Sequence, residues 1–251
     1  MKKNSLALLF LILGNFALAQ NNDQILIAAA SDLKFALDSL VTVFKGAHPS
    51  AVVDVTYGSS GKLYEQISHS APFDLFFSAD IEYPLRLKKS GVTASDVYAY
   101  GVGRIVIWSL MDPKNDMATF LLKPSIRKIA IANPQHAPYG RRAEEALKYF
   151  DVYDRIKPKL VYGENISQTA QFVTAGAAEA GIIALSLALS PAMKKLNGHY
   201  YIIPENTHQP LEQGFVVLKS AENNSLANDF KNFMLGSAAA TILSNFGFTK
   251  K

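Results

Sequence analysis

Residues 25–33, ILIAAASDL, decide how the rest of the chain is read. Six apolar residues of strand character run straight into Ser31. Leu33, Leu37, Leu40, Val41 and Phe44 then recur at three- and four-residue spacing, which marks one face of a helix. Residues 52–57, VVDVTY, repeat the arrangement: they meet Gly58-Ser59-Ser60-Gly61 and a short helix marked by Leu63 and Ile67. A serine at such a junction can cap the helix, whose first backbone N–H groups have no intrahelical partner. Helix N-termini also carry partial positive charge, so two of them side by side suit an anion.

Outward from these junctions the alternation continues. Strands are expected over 73–78, 104–109, 128–132, 159–162, 180–185, 200–203 and 214–218. Helices are expected over 81–89 with Asp80 as cap, and over 141–150, 168–175, 226–235 and 238–246. Strands alternating with helices define an α/β fold with mainly parallel sheets flanked by helices. In such sheets a ligand sits beyond the carboxyl ends of the strands. Two more strand ends of that kind follow. In Ala132-Asn133-Pro134-Gln135-His136-Ala137-Pro138-Tyr139-Gly140, Pro138 suits a helix start and leaves the amides of Tyr139 and Gly140 unpaired. In Gly163-Glu164-Asn165-Ile166-Ser167, Ile166 has only its backbone amide to offer. Two junctions early and two late imply two lobes, each contributing two donors. Asp32 stands beside the first of them: a carboxylate repels a bound anion, or points away and complements the helix dipole.

The ends and the composition set the class. Lys2 and Lys3, the apolar run 6–16 and Ala17-Leu18-Ala19 read as a secretory signal peptide over 1–19, with cleavage expected after Ala19, so the mature chain is expected to start at Gln20 and to be exported. The apolar run is shorter than the roughly 20 residues a spanning helix needs. With no cysteine there is neither a disulfide nor a lipid-attachment site. Loss of Lys2 and Lys3 takes the 25 basic residues to 23, against 21 acidic ones. No basic run with interleaved aromatics is present, which argues against a nucleic-acid partner.

Other chemistries fit less well. A Walker A loop fails because Thr56 and Leu63 occupy its first Gly and its Ser/Thr positions. Ser31-Asp32-Leu33-Lys34 and Ser59-Ser60-Gly61-Lys62 both satisfy S-x-x-K, the nucleophile motif of a class of serine hydrolases, but no S-D-N or K-T-G accompanies them. Tyr200-Tyr201 evokes paired iron-binding tyrosines, yet neighbours on a strand face opposite ways. His48, His69, His136, His199 and His208 have no metal-ligand spacing. No catalytic residue, metal ligand or cofactor is expected.

The segments AAASDL (28–33), YGSSGKLYEQI (57–67), APFDLFFSAD (71–80), ANPQHAPYGRRAEEAL (132–147), GENISQTAQFV (163–173) and AGIIALS (180–186) together resemble the periplasmic molybdate-binding proteins of ABC importers. The resemblance runs from about Ile25 to the closing FGFTK. It implies a two-lobed type II periplasmic-binding fold, with lobe I over 20–100 plus 212–251 and lobe II, with the crossing segments, over 101–211. It also implies a cleft holding molybdate or tungstate through neutral donors: Ser31 and Ser60 from the first lobe, with Ser59 as the alternative to Ser60, and the amides of Tyr139 and Ile166 from the second. A tyrosine that some members contribute is replaced here by Ala184, and the Tyr139 hydroxyl is a candidate stand-in. The partners implied are an ABC permease and its ATPase, with the binding protein a monomer. Sulfate and phosphate are the competing ligands. A protonated phosphate meets only donors in such a cage, leaving its own O–H unpaired.

Overall fold

The computed structural model describes residues 23–114 and 116–250. The expected signal peptide and its cleavage point lie outside them. In chain order the elements are β1 (Gln24–Ala30), α1 (Lys34–Ala47), β2 (Val52–Gly58), α2 (Ser60–Ser68), β3 (Leu75–Ser78), α3 (Glu82–Lys89), β4 (Tyr98–Gly103) and β5 (Ile105–Ser109). Next come α4 (Met117–Leu122), β6 (Ile129–Ala132), α5 (Pro138–Tyr149), α6 (Tyr153–Ile156), β7 (Leu160–Gly163), α7 (Ile166–Thr174) and β8 (Ala180–Ala184). The chain closes with α8 (Leu185–Ala188), α9 (Pro191–Lys194), β9 (His199–Ile202), β10 (Leu211–Val217), α10 (Ser225–Met234) and α11 (Ser237–Asn245). Among the described residues no helix is long and apolar enough to cross a membrane.

Two five-stranded sheets result, ordered β2-β1-β3-β10-β4 and β7-β6-β8-β5-β9. In the first, β1 is parallel to β2 and β3, while β10 is antiparallel to β3 and β4, so four strands run one way and β10 opposes them. In the second, β6 is parallel to β7 and β8, and β5 is antiparallel to β8 and β9. The two lobes therefore share one topology. Each lobe's reversed strand arrives from the other lobe, since β4 leads directly into β5 and β9 into β10. The chain crosses between the lobes twice.

Period-two alternation builds the first lobe's core. Ile25, Ile27 and Ala29 of β1 pack with Leu37, Leu40 and Phe44 of α1 and with Phe230 of α10, whereas Ala28 faces Leu63, Phe76 and Val216 on the other side of the sheet. The spacing of Leu37, Leu40 and Phe44 is the one read from sequence. Trp108, Ile131, Leu147 and Ile182 belong to the second lobe's core. Strand β4 has no counterpart in the sequence reading, because YAYGVG carries two glycines and is only partly buried at the sheet edge. Asp80 helps start α3, its Oδ1 accepting the Glu82 N–H at 3.0 Å, although Ile81 holds the cap position.

Candidate functional site

Ser31, Ser59, Ser60, Tyr139 and Ile166 all line one small cleft between the lobes, together with Asp32, Ala79 and Pro138. The cavity there is only about 10 Å³, so the lobes stand nearly shut around it. The strand order explains the convergence: β1, β2 and β3 end on one side of the cleft, and β6 and β7 end on the other.

The serines do not cap their helices. Ser31 opens a 3-10 turn behind Ala30, Ser59 precedes α2, and no side-chain capping bond forms at either start. Their hydroxyls act elsewhere. The Ser60 hydroxyl accepts the Ala79 N–H at 3.0 Å, which leaves its own proton to donate. Ser59 Oγ lies 2.9 Å from His136 Nδ1. Ser31 Oγ donates to Asn165 Oδ1 at 3.2 Å and accepts the Ser167 N–H at 3.3 Å, and Ser167 Oγ donates to the Ser31 carbonyl oxygen at 2.8 Å. Ser31 thus already touches the second lobe.

From that lobe come two helix starts. Pro138 is the first residue of α5 and Tyr139 the second, while Ile166 begins α7 behind Asn165, whose Oδ1 accepts the Gln168 N–H at 3.0 Å. At these positions the helix leaves the amides of Tyr139 and Ile166 without an internal acceptor. The Tyr139 hydroxyl, the candidate stand-in for the donor absent at Ala184, is engaged: it donates to Asp32 Oδ2 at 3.0 Å and accepts from Gln213 Nε2 at 3.0 Å. Ser186, two residues past Ala184, donates to the Asp32 carbonyl oxygen at 2.8 Å.

Asp32 is turned toward neither solvent nor the helix dipole alone. It is 1% exposed, and its Oδ2 accepts from both Tyr139 and Gln213, the latter at 2.9 Å. Burial pushes its carboxyl up to about 6, a shift that Gln213 and Tyr139, and more weakly the Asp32 and Leu33 amides, restrain. Tyr100 continues the network by donating to Gln213 Oε1 at 2.6 Å. Burial, reinforced by the Asp32 charge, raises both Tyr100 and Tyr139 well above the usual phenol range.

No lysine, arginine or histidine lines the cleft among the described residues. The nearby cations are paired at its rim, Lys62 with Glu164 and Arg141 with Asp80 at 2.6 Å. His136 is held below its ordinary value by burial, against the pull of Glu164. These contacts, with Gly61 N–H donating to the His136 carbonyl oxygen at 2.9 Å, join the lobes. Each lysine of the S-x-x-K pairs is committed elsewhere, Lys34 to Asp38 and Lys62 to Glu164, so neither serves as base to its serine. Tyr200 is exposed while Tyr201 packs on the core, and no group of potential metal ligands occurs among the described residues. A roomier groove runs between β4 and the C-terminal helices, but Leu243 and Phe248 line it and no helix starts converge there.

Several members of the site carry no motif. Asn165 was accessible, since asparagine before a helix is a strong cap. The Ala79 amide, Gln213 and Tyr100 join only through tertiary contacts across 19 to 181 positions of sequence.

Two α/β lobes of one topology, crossed twice by the chain and closing on a cleft of helix starts, define a two-lobed solute-binding protein of the type II periplasmic-binding fold. The chain belongs to the bacterial extracellular solute-binding protein family, matching it over residues 25–249. It is 34% identical over 198 residues to the molybdate-binding protein ModA of Rhodobacter capsulatus, spanning 78% of this chain and 77% of that one. It is 31% identical over 237 residues to ModA of Azotobacter vinelandii, spanning 94% and 93%. The solved periplasmic molybdate-binding protein of Azotobacter vinelandii superposes with a TM-score of 0.84 at 29% identity, covering 90% of this chain and 99% of that one. The sulfate-binding protein SubI of Mycobacterium tuberculosis, at 17% identity and a TM-score of 0.72, shares the fold.

Proposed function

We propose that this protein captures molybdate or tungstate in the interlobe cleft and delivers it to an ABC permease and its ATPase. The observation that carries the reading is the donor set. The Ser60 hydroxyl, with its proton uncommitted, faces the same cleft as the first-turn amides of Tyr139 and Ile166, and among the described residues no cationic side chain lines that cleft. Ser31 completes the set once its hydroxyl proton leaves Asn165 for the anion. The relatives' names, at about a third identity over most of the chain, supply the ligand class.

Physically, a tetrahedral dianion accepts bonds from many directions, and hydrogen bonds to a charged group are worth about 1.5–3 kcal/mol each. Nanomolar binding requires about 12 kcal/mol. The four donors named here, shielded from water, supply about 6–12 kcal/mol and reach that figure at the upper end of the range. An anion bridging both lobes favours the joined state by its differential affinity, and the permease reads that state. The protein acts as a single chain in the periplasm after loss of residues 1–19, and its role is capture, not catalysis.

Calorimetric titration of residues 20–251 with molybdate, tungstate, sulfate and phosphate tests the reading. Molybdate and tungstate are expected to bind at least about a hundredfold more tightly than the other two, a gap of about 3 kcal/mol. Absence of heat and of thermal stabilisation with all four anions overturns it.

A further inference from the structure

Asp32 is a buried carboxyl in the wall of a cleft that the proposed function fills with a dianion. It lines that cleft, it is 1% exposed, and its two oxygens are unequal. Both side-chain donors, the Tyr139 hydroxyl and the Gln213 amide, go to Oδ2. Oδ1 has no hydrogen-bond partner of good geometry among the described residues. A carboxyl built this way has one oxygen committed as an acceptor and the other open to a proton.

Among the described residues no cationic side chain faces it, and the Asp32 and Leu33 amides offset its charge only weakly. The groups that face it are Tyr139 from α5, Gln213 from β10, Tyr100 from β4 and the Ser186 hydroxyl from α8, which takes its carbonyl oxygen. All are uncharged. Lys34, two residues along, is paired with Asp38, and Arg104 between β4 and β5 is paired with Glu205. An ionised Asp32 and a bound dianion therefore repel each other in a cleft from which water is excluded, with no cation between them.

We propose that Asp32 takes up a proton on Oδ1 when the cleft captures its oxyanion, so that anion capture and proton uptake are a single event. The inference rests on the molybdate reading and deepens it. The proton comes from solvent. It removes the repulsion and leaves an uncommitted O–H donor in the cleft wall, while Oδ2 keeps its bonds to Tyr139 and Gln213. Burial has already brought the free carboxyl up to about 6, so little stands between it and protonation near neutral pH. Affinity for molybdate then falls by up to about tenfold per pH unit above that value and is flat below it.

The test is calorimetric titration of residues 20–251 with molybdate in Tris, HEPES and PIPES, buffers whose ionisation heats differ, with the proton count taken from the dependence of the observed heat on buffer. Uptake approaching one proton at about pH 7.5, and none at about pH 5 where the free group already holds its proton, is the expected result. Asp32→Asn keeps an acceptor for Tyr139 and Gln213 and presents N–H in place of O–H. It is expected to bind with no proton uptake and with affinity changing less than about twofold where the wild-type protein changes about tenfold. Wild-type binding at about pH 7.5 without proton uptake overturns the proposal, and this arm needs no variant to fold. Uptake that persists in Asp32→Asn overturns it too, because the proton then lands elsewhere. If the wild-type protein binds neither molybdate nor tungstate at any pH from about 5 to 8, the functional reading itself falls and this inference falls with it.

Discussion

Gly61 donates its N–H to the His136 carbonyl oxygen across the cleft at 2.9 Å, and a Cβ on Gly61 would lie 2.6 Å from that same oxygen. The first turn of α2 therefore meets the second lobe at a distance only glycine permits. A backbone atom opposes the added carbon, so the lobes must separate to accept one.

Gly61→Ala follows directly from that contact. Alanine in a helix is favoured over glycine by up to about 1 kcal/mol, so thermal stability without ligand is expected to hold or rise. Molybdate affinity is expected to fall at least about tenfold, because a ligand must bridge lobes that no longer meet. Calorimetry paired with thermal unfolding separates the two effects. Unchanged affinity would show that the Gly61–His136 contact is not part of the bound state.

Ser59 and Ser60 separate by what their oxygens already touch. Ser60 holds the Ala79 amide and keeps its proton for the cleft, whereas Ser59 is bonded to His136. Ser60→Ala is expected to weaken molybdate by about 1.5–3 kcal/mol, roughly 10- to 150-fold, and Ser59→Ala by less than about fivefold. Equal losses in a titration of the two variants would reverse the assignment.

Much of this site was legible because its pieces are local. A strand running into Ser31 or Gly58-Ser59-Ser60-Gly61 announces a helix start whatever the rest of the chain does, and the strand ends of one α/β fold gather such starts. The cleft-lining positions of Ser31, Ser59, Ser60, Tyr139 and Ile166 follow from that. What the hydroxyls do was not legible. Ser31 and Ser59 look like caps in sequence, yet in the fold the nearest partners are Asn165 and His136 of the other lobe. Tyr139 looks like a free donor until Asp32 and Gln213, 107 and 74 positions away, are brought against it. Such pairings depend on the lobes meeting, and no local spacing encodes them.

Tyr139→Phe isolates the hydroxyl from the backbone amide. If the amide alone serves the ligand, affinity measured at about pH 5, where Asp32 carries its proton, is expected to stay within about threefold. Stability at about pH 8 is expected to drop by about 1–3 kcal/mol, because the ionised Asp32 loses one of its two side-chain donors. A tenfold loss of affinity at the lower pH, in the same calorimetric assay, would return the hydroxyl to the ligand.

Asp32 also leaves a mark on stability that needs no ligand. Its carboxyl titrates near 3.8 in the unfolded chain and at about 6 in the fold. Between those values the folded protein binds more protons than the unfolded one, so this group makes stability fall as pH rises through the window from about 4 to 6. The contribution is fully present below the lower value and lost above the upper one. At about 1.4 kcal/mol per pH unit the loss is about 3 kcal/mol. Carboxylates held low, such as Glu179 by the Lys128 amide, act in the opposite sense, so the comparison must be made between proteins that share them. Urea unfolding of wild type and Asp32→Asn at about pH 4 and about pH 8 does so. The variant is expected to gain about 2.5 kcal/mol relative to wild type between the two conditions, since at about pH 4 the unfolded group is already partly ionised. Parallel pH profiles would show that Asp32 ionises in the fold as easily as in water.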